Sequence, residues 1–545
     1  MIKKIVTISA LSSSILLSAN LPNSSNIGKQ IQTPRDIPSI NKPSIKIDGL
    51  EKGEIVKEVK DGKKILIKGF FFSGNRFVDE NTLQNLLKEY SNKELNFSQI
   101  QEILQKIREY YKEEGYFVAR AYLEPQELLK NNNILKISIL EGKYGEFHLK
   151  NSSLVKDQTL QDILDSIKDK DIISTNTIER ATNLINSRAG AYVSKAVIKP
   201  GSEVGTSDFD IEVLSENRVN GYIVADNYGS RYTGYNRLQA LVNLNSPFNI
   251  GDKLTFSGIV SNKANLKNGK IAYELPLNSY GLNADFAYSR TNYKLAKEYK
   301  DLNIKGHQNI YEAGLSYPII RTTNENLYIK TKYYHKDMKD YMKGLKYEDK
   351  TVNSLVTSVD YDKNYFIKDM PANLFANVNY TRAYLSSNGK YHKIDAYLSN
   401  IIYLNDIFSF NTILNAQKVL GHKSLDGSET ISLGGATGVR LYPYSEQSAE
   451  NGYIATFELF SKLPSISSFR HKIGFFYDVG DAYQEVDTDA TFKRKTLQDT
   501  GIGYYINYKE FFLRLQMAWA INHSISDKNE AHQNSKFLFQ TGMVF

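Results

Sequence analysis

The stretch "ENLYIKTKYYH", Glu325 to His335, decides how the larger, C-terminal part of the chain is read. In an extended chain Leu327, Ile329, Thr331 and Tyr333 fall on one face, and Tyr328, Lys330, Lys332 and Tyr334 on the other. The pattern recurs. In "LFANVNYTR", Leu374, Ala376, Val378 and Tyr380 oppose Phe375, Asn377, Asn379 and Thr381. In "FSFNTILNA", Phe408, Phe410, Thr412 and Leu414 oppose Ser409, Asn411, Ile413 and Asn415. A period of two sorts residues to two faces, as a strand does and a helix does not. Apolar-out, polar-in alternation at roughly ten residues per segment is what a transmembrane β-barrel requires. After Asn217 the helical period disappears, and about sixteen such segments follow over roughly 330 residues. The last is "KFLFQTGMVF", closing on Phe545.

A large soluble sandwich or propeller also alternates, so the rest of the sequence must discriminate. The N-terminus "MIKKIVTISALSSSILLSAN" has two lysines, a short apolar stretch broken by serines, then small residues. It reads as a secretory signal over 1–19, cut after Ala19. Nothing later approaches the ~20 apolar residues of a spanning helix. There are 38 tyrosines and no cysteine. Tyrosine suits a surface that is apolar on one side and wet on the other. Without cysteine there is no disulfide and no cysteine-based zinc or redox site. The net charge of +8 comes from 68 basic and 60 acidic residues without a concentrated basic block, so no nucleic-acid partner is expected. These features together favour a membrane barrel.

Between signal and barrel the sequence changes character twice. Residues 20–63 are polar and hold Pro22, Pro34, Pro38 and Pro43, which reads as a linker. Residues 64–142 run strand, helix, helix, strand, strand. "DENTLQNLLKEY" places Leu83, Leu86, Leu87 and Tyr90 on one helical face. The next helix carries Ile100, Ile103, Leu104, Ile107 and Tyr111, with Ser98 and Gln101 as a capping box and Gly115 as its stop. Residues 143–216 repeat the order, with Asn176 as the cap of the second helix and Gly190 as its end. The fold class is therefore mainly β, with two small α+β modules before a barrel over 217–545.

The pieces resemble the outer-membrane transporters of two-partner, type V secretion, the TpsB or haemolysin-activator type. Their modules are POTRA domains and their barrels have sixteen strands. "YYKEEGYFVARAYLEPQ" with "LKISILEG" resembles the end of a first POTRA domain, and "LINSRAGAYVSKAVIKPGSEVGTSDFDIEV" the end of a second. "VADNYGSRYTGYNRLQALVNLNSPFNIGD" resembles the first barrel hairpin. "GVRLYP" stands where the family carries a Val-Arg-Gly-Tyr motif, on a long lumenal loop spanning 418–450. The resemblance implies that Val439, Arg440, Leu441 and Tyr442 fold back into the lumen. There Arg440 meets Asp478 of "FYDVG", a Phe-x-Asp-x-Gly motif comprising Phe476, Asp478 and Gly480. Leu441 replaces the family's glycine and Pro443 follows Tyr442, so a stiffer tip is expected. The prolines of 20–63 speak against the plug helix many members carry there.

The resemblance also implies a function. A large, β-helical exoprotein of the TpsA type is recognised in the periplasm by the POTRA domains and exported through the pore. Extended chains add to open sheet edges, so Tyr122, Leu123, Ala196, Val197 and Ile198 are the candidate receiving residues, beside the helices at 98–113 and 176–188. Other partners implied are outer-membrane lipids and lipopolysaccharide. The alternative within the superfamily is a barrel-assembly insertase, which usually has more POTRA domains. A passive porin needs none. No Gly-x-Ser-x-Gly elbow, Walker loop or His-Glu-x-x-His occurs, so neither an enzyme, a cofactor nor a metal is expected.

Overall fold

The computed structural model describes residues 23–31, 47–48, 64–168, 170, 172–444, 446–486, 492–528, 530 and 532–545. The signal segment 1–19 lies outside them.

From Val219 onward the alternating segments form sixteen antiparallel strands closed into one barrel. Each strand pairs with the next in sequence, except that the loop 421–450 intervenes between the eleventh strand (Phe408–Leu420) and the twelfth (Asn451–Lys462). The last strand (Ser535–Val544) closes on the first (Val219–Asp226), with Tyr222 opposite Val544 and Asp226 opposite Gln540. The Phe545 N–H donates to Gly221 O at 3.0 Å and completes the seam. Closure leaves no sheet edge, which a barrel in lipid requires.

The two faces sort as the alternation demands. Ile329, Tyr333, Val378 and Tyr380 point outward and are exposed. Their neighbours face in. Lys330 pairs with Asp360 at 2.5 Å and Lys332 with Asp285 at 2.7 Å, while Asn377 donates to Asp360. A lumenal cation or amide without a partner would carry a desolvation cost that these cross-strand partners offset.

Ahead of the barrel stand two modules of one topology. In the first, Gly69–Ser73 runs parallel to Ile134–Leu140, which pairs antiparallel with Arg120–Tyr122. In the second, Lys143–Ser152 runs parallel to Thr206–Leu214, which pairs antiparallel with Tyr192–Pro200. The helix Phe97–Glu113 buries Ile100, Ile103, Leu104, Ile107 and Tyr111 against the first sheet. Its cap lies two residues before the expected Ser98. Asn96 Oδ1 accepts from Gln99 N–H at 2.9 Å, and Gln99 Oε1 accepts from Asn96 N–H at 3.0 Å. An amide side chain closes this reciprocal box as a hydroxyl does. In the second module the helix Thr175–Ser187 is capped by Ser174, not by Asn176.

The expectation for residues 20–63 is corrected in two places. Ser24–Gly28 forms a short helix inside the barrel, capped by Asn23. Ile47–Asp48 form a strand beside the second module. Proline density marked neither, because all four prolines fall outside both pieces.

The second module is seated on the turns at one end of the barrel. Arg180 donates to the carbonyls of Tyr280 and Pro318. Arg188 donates to Asn278 O at 2.7 Å, and Glu179 accepts from Thr323 N–H. This side of the helix Thr175–Ser187 faces the barrel and is not a free groove.

Candidate functional site: the loop arginine in the barrel lumen

The loop 421–450 turns into the lumen as a hairpin. Ile431–Ser432 pair with Ser448–Ala449. Beyond them the tip is tied by backbone bonds, from Gly435 N to Tyr442 O at 2.7 Å and from Val439 N to Leu433 O at 2.8 Å. Gly435 has φ +100° and lies against the Tyr444 ring, a conformation and a space that exclude a side chain. Leu433, Val439, Leu441 and Tyr442 are fully buried against Phe476, Leu497 and Ala518 of the wall. Leu441, in the place of a glycine, thus adds apolar contact without displacing the tip.

Arg440 is 3% exposed. Its Nη2 donates to Glu458 Oε1 at 2.6 Å and to Asp478 Oδ1 at 3.4 Å, and its Nε forms an ion pair with Asp478 Oδ2 at 3.0 Å. The guanidinium stacks 3.9 Å from the centroid of the Phe476 ring, a contact favourable to a cation. Two further bonds complete the grip: the Leu441 backbone N–H donates to Asp499 Oδ2 at 2.6 Å, and the Tyr442 hydroxyl donates to His523 O at 2.6 Å. Asp478 and Asp499 stand directly opposite each other on neighbouring strands. The guanidinium on Asp478 and the Leu441 N–H on Asp499 are the donors that meet these two adjacent acidic side chains. Gly480 completes the motif by being small. A Cβ there would meet Val439 Cγ2 at 3.2 Å and Leu433 Cδ2 at 3.3 Å.

The structure therefore brings Val439, Arg440, Leu441 and Tyr442 against Phe476, Asp478 and Gly480. It adds Glu458 and Asp499, which sequence reasoning missed. Both lie on inward positions of their strands, but only the strand register, Thr456 opposite Asp478 and Asp478 opposite Asp499, brings them to one place.

A second cluster ties the N-terminal segment to the lumen. Arg237 and Asp226 form a buried two-pronged pair, Nε to Oδ1 at 2.8 Å and Nη2 to Oδ2 at 3.1 Å, with Gln239 donating to the same carboxylate. Arg237 also donates to Gln30 O at 2.6 Å. Across the lumen Ser24 N and Oγ donate to Asp340, and Asn23 donates to Glu348. Lys29 donates to Thr430 O and to Ser448 Oγ on the loop hairpin. One short segment thus touches the first strands, the seventh and eighth strands, and the loop. Below it a cavity of about 800 Å³ is lined by Asn220, Asn243, Lys270, Glu312, Lys330 and Lys332.

The candidate receiving residues are placed differently from one another. Tyr122 is 43% exposed on an edge strand, and Leu123 packs in part against the first core. Ala196 is fully buried, and Ala196 and Val197 are paired on both sides, to Ile211 and Asp210 and to Ile47 and Asp48. This corrects the expectation of an open edge in the second module at these residues. Ile198 pairs with Phe209 and packs in part on the second core.

Residues 205–503 match the family described as haemolysin secretion/activation protein ShlB/FhaC/HecB, and residues 65–142 match the ShlB-type POTRA domain. The heme/hemopexin transporter protein HuxB of Haemophilus influenzae is 27% identical over 493 residues, covering 87% of this chain and 86% of that protein. The outer membrane transporter CdiB of Escherichia coli is 24% identical over 238 residues, 43% of this chain and 39% of that protein. In structure, CdiB from Escherichia coli superposes with a TM-score of 0.75 at 19% identity, covering 91% of this chain and 94% of that one. CdiB from Acinetobacter baumannii gives 0.69 at 17% identity, covering 97% and 100%. At those identities the likeness shows the fold. The family match takes in more than half of the chain, and the protein belongs to the haemolysin secretion/activation family, an outer-membrane transporter of a partner exoprotein with its POTRA domains in the periplasm.

Proposed function

We propose that this chain exports one large exoprotein as an extended polypeptide, with the hairpin held by Arg440 and the segment Asn23–Ile31 as the two elements that clear the lumen. The carrying observation is that both occupy the path between the periplasmic cavity and the far rim, the segment through polar contacts that can be exchanged one at a time and the hairpin through the Arg440 cluster beside a buried apolar tip. The lumen wall beneath them pairs its own charges across strands, at Lys270–Glu312, Lys330–Asp360 and Lys332–Asp285. A wall so neutralised holds a passing chain weakly. No nucleotide is invoked; folding outside the cell supplies the direction.

Several finer readings belong with this one. The Arg440 cluster acts in gating rather than in chemistry, and the protein is a transporter without an enzymatic step. The likeness to a heme/hemopexin transporter over 87% of this chain makes a haem-acquiring exoprotein the cargo class to test first. The exposed Ile, Leu, Val and Tyr of the outer wall contact lipid, with lipopolysaccharide at the outer rim. The test is secretion of the exoprotein that the wild-type chain exports, from cells whose transporter lacks residues 64–215. Export should cease while the barrel keeps its heat-modifiable gel mobility. Export that persists at normal levels refutes recognition by the POTRA domains.

A further inference from the structure

The two POTRA modules share a topology, yet their equivalent edges differ. In the first, Arg120–Tyr122 pairs on one side, with Ile134–Leu140. In the second, Tyr192–Pro200 pairs on both sides. Thr206–Leu214 runs antiparallel along one side, and Ile47–Asp48 lie parallel along the other, Ile47 opposite Ala196 and Asp48 opposite Val197. The strand that fills this edge comes from the linker, far from the module in sequence. An open edge is a template for any extended chain, and adding a strand there is how such sheets take peptides.

We infer that Ile47–Asp48 is a placeholder strand: it keeps the second POTRA edge shut until an extended segment of the exoprotein displaces it in the same parallel register. The inference rests on the reading that the POTRA domains receive the exoprotein. Two ladder positions make a small contact, strong enough to exclude stray strands and small enough for a longer one to replace.

The chain has no cysteine, so Ile47→Cys/Ala196→Cys can form a single intramolecular disulfide. Residues directly paired across a ladder lie within the Cα separation a disulfide spans. The full-length double variant, in membranes, is oxidised and then reduced. The probe is the N-terminal fragment of the exoprotein that the wild-type chain exports. The oxidised form should neither bind the fragment nor secrete, and reductant should restore both; each single-cysteine variant should behave as wild type. A second variant, Ile47→Pro/Asp48→Pro, removes the ladder N–H groups. If the placeholder holds the edge nine-tenths of the time, its loss should tighten fragment binding about tenfold. Normal binding and export by the oxidised form overturn the inference, as does failure of the disulfide to form in a folded barrel. If deleting residues 64–215 leaves export intact, recognition by the POTRA domains falls. If that deletion blocks export and the locked form does not, only the placeholder falls.

Discussion

Exchanging Arg440 and Asp478, as Arg440→Asp/Asp478→Arg, should fail to restore the loop. For an isolated pair the swap would return the interaction. Here the guanidinium serves two carboxylates, Glu458 at 2.6 Å and Asp478 at 3.0 Å, with Asp499 on the next strand. After the swap, the carboxylate placed on the loop faces Glu458, and the guanidinium placed on the wall is free to pair with Asp499 instead. One like-charge contact replaces the strongest bond of the cluster. Removing one partner of a buried pair costs roughly 3–5 kcal/mol, so Arg440→Ala should carry about that cost. Burial of Leu433, Val439 and Leu441 contributes roughly 5–9 kcal/mol, so the hairpin should stay docked but open far more often. At 1.4 kcal/mol per tenfold, that is an increase of roughly two to three and a half orders of magnitude in opening. A single cysteine at Ala436, beside Arg440 and Glu458, reports it through its rate of maleimide labelling. Arg440→Ala should accelerate labelling by that factor. Asp478→Ala should accelerate it less, because Glu458 still holds the guanidinium. The double swap should stay fast, and adding Glu458→Gln should slow it. Wild-type labelling in the double swap would refute a three-carboxylate cluster and leave a simple pair.

Other outcomes follow from the same geometry. Gly480→Leu should displace the hairpin, since even a Cβ touches Val439 and Leu433; overpacking costs about 1–3 kcal/mol, read as faster labelling at Ala436→Cys with the barrel still folded. Deleting residues 23–31, or replacing Arg237 by alanine, should raise single-channel conductance in planar bilayers, because Arg237 holds Gln30 O; unchanged conductance would mean the segment does not restrict ion flow. Burial, with Glu141 beside it, raises the Tyr111 hydroxyl above its ordinary value. The unfolded tyrosine ionises near pH 10 and the folded one higher. First-module stability should therefore be intact below pH 10 and fall as pH rises beyond it. Hydrogen exchange of Phe97–Glu113 checks this, and Tyr111→Phe should flatten the dependence.

Some of this architecture was legible in the residues themselves. The alternation around Ile329 and Lys330 dictated strands with one lipid face and one polar face, because a period of two admits no other regular structure. The stripe from Ile100 to Tyr111 dictated a helix with one buried side. Both are local patterns, and local sterics and burial suffice to read them. The loop and its wall were legible only through the likeness of "GVRLYP" and "FYDVG" to family motifs, because no local pattern ties Arg440 to Asp478. Tertiary structure alone decided the rest. Glu458 and Asp499 join the cluster only because antiparallel register sets them beside Asp478, and register is a relation between strands that neither strand encodes alone. Asn23–Ile31 lodges in the lumen because Asp340, Glu348, Arg237 and the loop converge there. Ile47–Asp48 becomes a strand because Tyr192–Pro200 offers it an edge. Neither segment carries a periodicity of its own. Each takes its conformation from groups distant in sequence, brought together only once the barrel and the POTRA sheet have formed.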